Sequence, residues 1–177
     1  MFRLKSGGSM EKANIKQKVG LVLEGGSMRG MFTAGVLDTL MDEGIEIDGI
    51  IGVSAGALFG SNYFSRQKGR VIRYNKRFCS DYRYMSLLSY LFTGNLVNRQ
   101  FAFYDVTLKY DLFDNETFIK NNSGYYVTVT NIETGEAEYL EMKDVIKEME
   151  MLRATSAIPL LSEIIEVNGK IFRWWNR

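Results

Sequence analysis

The sequence predicts an α/β fold built on a parallel sheet, and three observations carry that expectation. A short apolar run, Val19 to Leu23, ends at a glycine-rich turn, Gly25-Gly26-Ser27-Met28-Arg29-Gly30. A second run, Gly49 to Val53, ends in Gly52-Val53-Ser54-Ala55-Gly56. Each run leads into a segment whose apolar residues recur at helical spacing, so the chain opens as strand, glycine turn, helix, strand, serine turn, helix.

Each element has its own justification. Val19 to Leu23 is apolar throughout, as a strand buried on both faces of a parallel sheet should be. Met31, Phe32, Val36, Leu37, Leu40 and Met41 mark the core face of the first helix, and Gly44 stands where a helix stop belongs. Ala55 to Phe64 reads as a second helix with Ser54 at its entrance. Residues 65–122 are expected to be mostly helical. Tyr125 to Ile132 and Ala137 to Leu140, separated by Glu133-Thr134-Gly135, predict a hairpin. Lys143 to Thr155 predicts a helix. Ile164 to Val167, the pair Asn168-Gly169 and Lys170 to Trp174 predict a second hairpin, because Asn-Gly between apolar runs favours a type I′ turn.

Composition sets the outer limits. A chain of 177 residues with 46% hydrophobic content can bury a core, and its length favours one domain. Residues 1–17 are polar, include Ser6-Gly7-Gly8-Ser9 and a second methionine at Met10, and read as a flexible leader ahead of a domain over 18–177. The net charge of +1 gives no reason to expect nucleic acid as a partner. A single cysteine, Cys79, and the lack of any histidine argue against a metal site, and Cys79 is expected to be a small buried hydrophobe. No segment reaches membrane-spanning length and the N-terminus lacks the apolar core of a signal peptide, so the expected setting is cytoplasmic.

The chemistry centres on Ser54. Gly-x-Ser-x-Gly at a strand-to-helix turn raises a serine nucleophile, and such a serine ordinarily relies on a histidine. With no histidine in the chain, its base must be a carboxylate or a lysine, which points to a serine-aspartate dyad. The glycine turn after the first strand is a poor dinucleotide fingerprint, because Ser27 replaces its middle glycine and no acidic residue closes the second strand. It is a better oxyanion hole, aiming backbone N–H groups and a helix dipole at one point. In isolation either motif is explained equally well as a tight turn. In neighbouring parallel strands the two turns open at the same edge of the sheet.

These two motifs, followed by Leu152-Arg153-Ala154-Thr155-Ser156-Ala157-Ile158-Pro159, resemble the bacterial patatin-like phospholipases, and the likeness runs from Val19 to about Phe172. The resemblance implies a three-layer α/β fold related to the α/β hydrolases, and a lipid acyl hydrolase that uses a serine-aspartate dyad and no cofactor. It casts Ser54 as nucleophile and Gly52 and Gly56 as the glycines of the elbow. The backbone of Gly25, Gly26, Ser27, Arg29 and Gly30 becomes the oxyanion hole. Ser27 stands where the family has glycine, which weakens the hole only if the backbone there needs positive φ.

The resemblance fails at one place. The family's aspartate follows the second hairpin in an Asp-Gly-Gly or Asp-Gly-Ala segment, whereas this sequence reads Arg173-Trp174-Trp175-Asn176-Arg177. Tryptophan has only the codon TGG, so Arg-Trp-Trp-Asn written with AGA or CGA spells Asp-Gly-Gly one nucleotide later. The expectation is a product frameshifted just before its aspartate, C-terminally truncated and of little or no activity. The alternative is a divergent tail whose tryptophans pack as core or as lipid-facing anchors. Glu24, Asp48 and Asp144 are the acidic residues nearest the motifs, without a credible reach to Ser54.

Arg66, Lys68, Arg70, Arg73, Lys76 and Arg77 accumulate in a stretch free of acidic residues, and Arg66, Arg70, Arg73 and Arg77 share one face of a helix. That stripe reads either as a solvated face or as a peripheral membrane contact that meets anionic headgroups. Three function classes follow, in order: a lipid acyl hydrolase acting on a phospholipid or other acyl-ester lipid; a noncatalytic lipid-binding or interaction protein that keeps the pocket; and a nucleotide-binding α/β domain.

Overall fold

The structure, a computed structural model, describes residues 18–173. The expected leader and the tail from Trp174 onward lie outside the described residues. Strands β1 (Gly20–Leu23), β2 (Gly49–Gly52) and β3 (Gly124–Asn131) are parallel and adjacent in that order. Between them come α1 (Met31–Asp42), entered through a 3-10 turn at Ser27–Gly30, and then α2 (Ala55–Phe64). Helices α3 (Arg70–Phe78), α4 (Leu87–Thr93), a π-helix (Arg99–Tyr110) and α5 (Asn115–Lys120) fill the long connection to β3. The predominantly helical expectation for that region holds.

Strand β4 (Ala137–Glu141) pairs antiparallel with β3 as the first hairpin, and α6 (Met149–Ser156) leads to β5 (Ile165–Val167) and β6 (Lys170–Arg173). Asn168 and Gly169 both take positive φ, 53° and 77°, as a type I′ turn requires. β6 joins the far end of β3, with Phe172 opposite Asn131 and Arg173 opposite Thr130. Thr130 faces Ala137 on its other side, and Tyr126 faces both Ile51 and Glu141, so β2 and β6 flank the same edge of β3 in succession.

Right-handed crossovers that advance steadily through β1, β2 and β3 put their helices on one face. That face carries Leu23, Ile50, Tyr125, Val127 and Val129, all buried, and packs with Leu37, Tyr63, Phe64 and Leu152 in the main core. The opposite face stays open among the described residues, with Val22 76% and Tyr126 39% exposed. β1 is therefore an edge strand wetted on one side, not the fully buried strand its composition suggests.

Other expectations are corrected by contacts distant in sequence. On α1 only Ala34 and Leu37 are buried, while Phe32 and Val36 face outward. The helix expected from Lys143 begins at Met149, because the Glu148 carboxylate takes the amides of Lys143 (2.7 Å) and Asp144 (3.0 Å) and winds the intervening residues into turns. Cys79 is exposed rather than buried, since it follows the last turn of α3.

The arginine stripe also reads differently in three dimensions. Arg66 lies outside α3 and pairs with Glu46 at 2.9 Å, Arg73 grips Asp111 through two bonds of 2.7 Å, and Arg77 donates to the Tyr110 carbonyl at 3.2 Å. Arg70 is 4% exposed and bonds the Asp111 carbonyl and Asn62. The stripe clasps the end of the π-helix to α3; it presents no row of free cations to a headgroup surface.

Burial in this region has a measurable consequence. It pushes the Tyr74 phenol up from 10.0 to about 12, and also raises Tyr84 and Tyr125. The unfolded chain releases such protons near pH 10 while the folded chain retains them, so stability present below pH 10 is lost as pH rises toward 12. Tyr74→Phe is expected to flatten the decline in urea midpoint between pH 10 and 12, by the share of one proton. An unchanged decline would contradict the assignment.

Candidate active site

The two motifs meet because glycine is demanded where they touch. A Cβ on Gly56 would lie 2.4 Å from the Leu23 carbonyl oxygen and 2.6 Å from that of Glu24, and one on Gly52 would lie 2.6 Å from the backbone of Ala57. No side chain fits either space. The first turn of α2 is thus pressed onto the end of β1, and the chain between the two glycines must bend sharply. Ser54 takes the strain, at φ 50° and ψ −122°, a region non-glycine residues occupy at a cost of about 1–3 kcal/mol. Its amide donates to Thr155 Oγ1 at 2.8 Å, and that hydroxyl, fully buried, donates onward to the Thr128 carbonyl at 2.6 Å. Thr155 fixes the elbow to β3 from α6.

The glycine turn lies alongside. Gly30 packs so closely that a Cβ there would sit 3.0 Å from the Ala55 Cβ and 2.8 Å from the Phe59 ring. Ser27 has φ 48°, so this position does use the left-handed region, and serine bears a cost there that glycine avoids. The Arg29 amide donates to the Gly26 carbonyl at 3.0 Å and is consumed in closing the turn. That bond removes Arg29 from the expected set of oxyanion donors.

Ser27, Met28 and Ser54 open onto a cavity of about 140 Å³. Its walls are mostly apolar: Leu58, Phe59, Phe103, Val106, Met149 and Leu152 among them. Both Ser54 and Ser61 line it, seven residues apart along α2, so it extends on the order of 10 Å from the elbow. Arg70, Asn75 and Tyr84 add polar groups from α3 and the segment after it. Burial lowers the Arg70 pKa, opposed by Tyr74 and Asp111. The Ser156 hydroxyl also lines the cavity, and among the described residues it has no hydrogen-bond partner.

No aspartate or glutamate lines this cavity. Asp48 accepts from the Val19 amide at 2.8 Å, at the opposite end of β2 from Ser54, and four strand residues at about 3.3 Å each separate them. Asp144 is held by Asn115 at 2.9 Å and by the Lys147 amide at 3.0 Å. Burial opposes its ionisation, but those bonds and the Lys147 ammonium outweigh it and keep the carboxyl below its usual range. Glu24 is exposed. None of the three is among the residues that line the cavity with Ser54.

A family model for patatin-like phospholipases matches residues 21–175. The chain belongs to the patatin-like phospholipase family. It is 36% identical over 104 residues to a protein named Lysophospholipase NTE1 from Cryptococcus neoformans, covering 52% of this chain and 6% of that protein. It is 35% identical over 82 residues to the uncharacterized protein YjjU of Escherichia coli, covering 46% of this chain and 23% of that one. The chain therefore corresponds to a small part of these relatives. The structure of VipD from Legionella pneumophila aligns with 89% of this chain and 45% of its own, at 13% identity and a TM-score of 0.47.

As a patatin-like domain, the chain carries a local signal for Ser54, Gly52 and Gly56. Thr155 and Ser156 stood in the third motif without a role, which only their position over the elbow and cavity supplies. Thr155→Val, equal in shape, would leave the Ser54 amide unpaired; a loss of about 1–3 kcal/mol in urea unfolding is expected, and no loss would contradict the clamp. Gly56→Ala should cost at least about 3 kcal/mol or prevent folding, whereas Ser27→Gly should leave stability equal or higher by up to about 1 kcal/mol. Equal tolerance of both glycine-motif changes would refute the close approach.

Proposed function

We propose that this chain is a serine lipid acyl hydrolase domain with Ser54 as nucleophile, acting on a phospholipid or other acyl-ester lipid. One observation carries the reading: Ser54 is held in a strained elbow, between glycines that admit no side chain, at an apolar cavity. The Ser54 oxygen would attack the ester carbonyl carbon, the carbonyl oxygen would gain the charge, the alcohol would leave carrying the proton lost by Ser54 as the tetrahedral intermediate collapses, and water would then hydrolyse the acyl-serine to release the acid and restore Ser54. Amides of Gly26 and Ser27, in the turn whose Ser27 lines the cavity with Ser54, would be the donors for that charge, with Gly25 and Gly30 shaping the turn. The apolar walls suit an acyl chain and are unsuited to a nucleotide's phosphates.

The chain has no histidine, and among the described residues none that lines the cavity carries a carboxylate to accept the Ser54 proton. β6 descends β3 from Asn131 to Thr130, toward the Thr128 carbonyl that Thr155 links to Ser54. A carboxylate placed just after β6 would enter from that direction, and the sequence there begins with Trp174. We infer that Ser54 draws no general base from the described residues, which by themselves would turn over about 10²–10⁴-fold more slowly than with one and would bind lipid better than they hydrolyse it. Noncatalytic lipid binding is accordingly the second reading, favoured by the same lining. No helix among the described residues is long and apolar enough to cross a membrane; a cytoplasmic protein that meets lipid at a membrane surface is the setting this proposal implies.

Hydrolysis of a short-chain nitrophenyl ester tests the account. The chain should show weak turnover, and Trp174→Asp combined with Trp175→Gly and Asn176→Gly should raise it at least about 10²-fold, an increase abolished by Ser54→Ala. Strong turnover without these changes, or turnover indifferent to Ser54, would overturn it.

A further inference from the structure

Helix α4 is built inside out. Its buried residue is Ser89, whose hydroxyl donates to the Asn95 carbonyl at 2.8 Å. Asn95, buried as well, donates from Nδ2 to the Thr93 carbonyl at 2.9 Å and accepts the Glu163 amide at 3.0 Å. The outward side chains are apolar: Leu87, Leu88, Leu91 and Phe92 are 73, 54, 75 and 85% exposed. A helix that covers a core does the reverse.

This exposure is not loose structure. Ser86 caps α4 by accepting the Ser89 amide at 2.9 Å, and Gly94 ends it at φ 71°. Met85 and Val97 bridge across its base, and both line the cavity. The Leu96 amide donates to the Leu161 carbonyl at 2.8 Å, tying the α4 excursion to the segment after Ile158, another lining residue. In that segment Leu160 is 81% exposed at φ 68°, a conformation bulky residues rarely adopt. Two fixed elements on one cavity wall therefore hold leucines and a phenylalanine in solvent. The sequence from Tyr84 to Asn98 contains no charged residue, and the carboxylate that approaches it from elsewhere is Glu163, beside Gly94.

We propose that α4 and Leu160 form the surface by which this protein docks onto a lipid bilayer, inserting Leu87, Leu91, Phe92 and Leu160 among the acyl chains. A contiguous apolar patch of this kind marks an interaction site. Its occupant is lipid rather than protein because α4 and Leu160 are rooted in the cavity lining, through Met85 and Val97 on one side and Ile158 on the other; in this respect the inference rests on the lipid reading of that cavity. The apolar side chains carry no charge and the one carboxylate beside them, Glu163 next to Gly94, would repel anionic headgroups, so neutral headgroups fit and binding is independent of the arginines of α3, which are engaged elsewhere. Insertion would bring the cavity to the bilayer without drawing a lipid through water.

Flotation with phosphatidylcholine vesicles tests the surface by binding, which needs no turnover. The chain should float with the vesicles, and Ser54→Ala should float equally. Leu91→Ser with Phe92→Ser should lower the partition at least about tenfold, Leu160→Ser should lower it further, and the unfolding midpoints should be preserved because these side chains are exposed. No binding by the parent chain, or undiminished binding by the variants, would overturn the proposal. So would self-association that the double variant dissolves while vesicle binding persists. Failure of Ser54 to react with an alkyl phosphonate would instead count against the hydrolase reading and leave the vesicle result standing.

Discussion

The contact on which the site depends is the approach of Gly56 to the backbone of Leu23 and Glu24. A Cβ at that point would fall 2.4 Å from a carbonyl oxygen, so only glycine lets α2 begin where it does. Because α2 begins there, the chain between Gly52 and Ala57 must turn within a few residues, and Ser54 is forced to positive φ. The same approach lays α2 along the sheet. Gly60, one turn on, meets Leu23 equally closely, and nine of the ten α2 residues are buried. Core and site thus share one cause. The helix that anchors the fold is the helix whose first turn presents the serine.

Strain of that kind persists only where surrounding structure holds it. Here the Thr155 hydroxyl does so, bonded to Ser54 on one side and Thr128 on the other. The cavity beyond is apolar, and the charged network nearby is spent on structure, with Arg70 and Arg73 both on Asp111. What the described residues assemble is positioning, a strained hydroxyl and a largely apolar cavity, without a carboxylate in its lining to take the proton.

Legibility in the sequence followed the range of the forces involved. The glycine requirement at Gly52 and the Asn168-Gly169 turn are local, so spacing revealed them, whereas Gly56 was legible only as part of the Gly-x-Ser-x-Gly pattern, since the backbone that excludes a side chain there belongs to Leu23 and Glu24. Thr155 acts on a residue 101 positions away, and nothing in its neighbourhood marks it as a clamp. The arginines of α3 showed the correct periodicity, but the carboxylate that claims Arg73 is 38 residues distant. Phe32 and Val22 were read as core because apolar residues ordinarily face inward; the open face of the sheet and the outer side of α1 reverse that rule. Cys79 misled for the same reason.

The account's central claim is that the elbow serine and the apolar cavity form one reactive site. The most direct measurement is a crystal structure of the chain after reaction with a long-chain alkyl phosphonate. The account predicts phosphorus bonded to Ser54 Oγ, a phosphoryl oxygen against the amides of Gly26 and Ser27, and the alkyl chain lying between Leu58, Phe103 and Met149. Modification at another residue, or an alkyl chain directed away from that cavity, would contradict it.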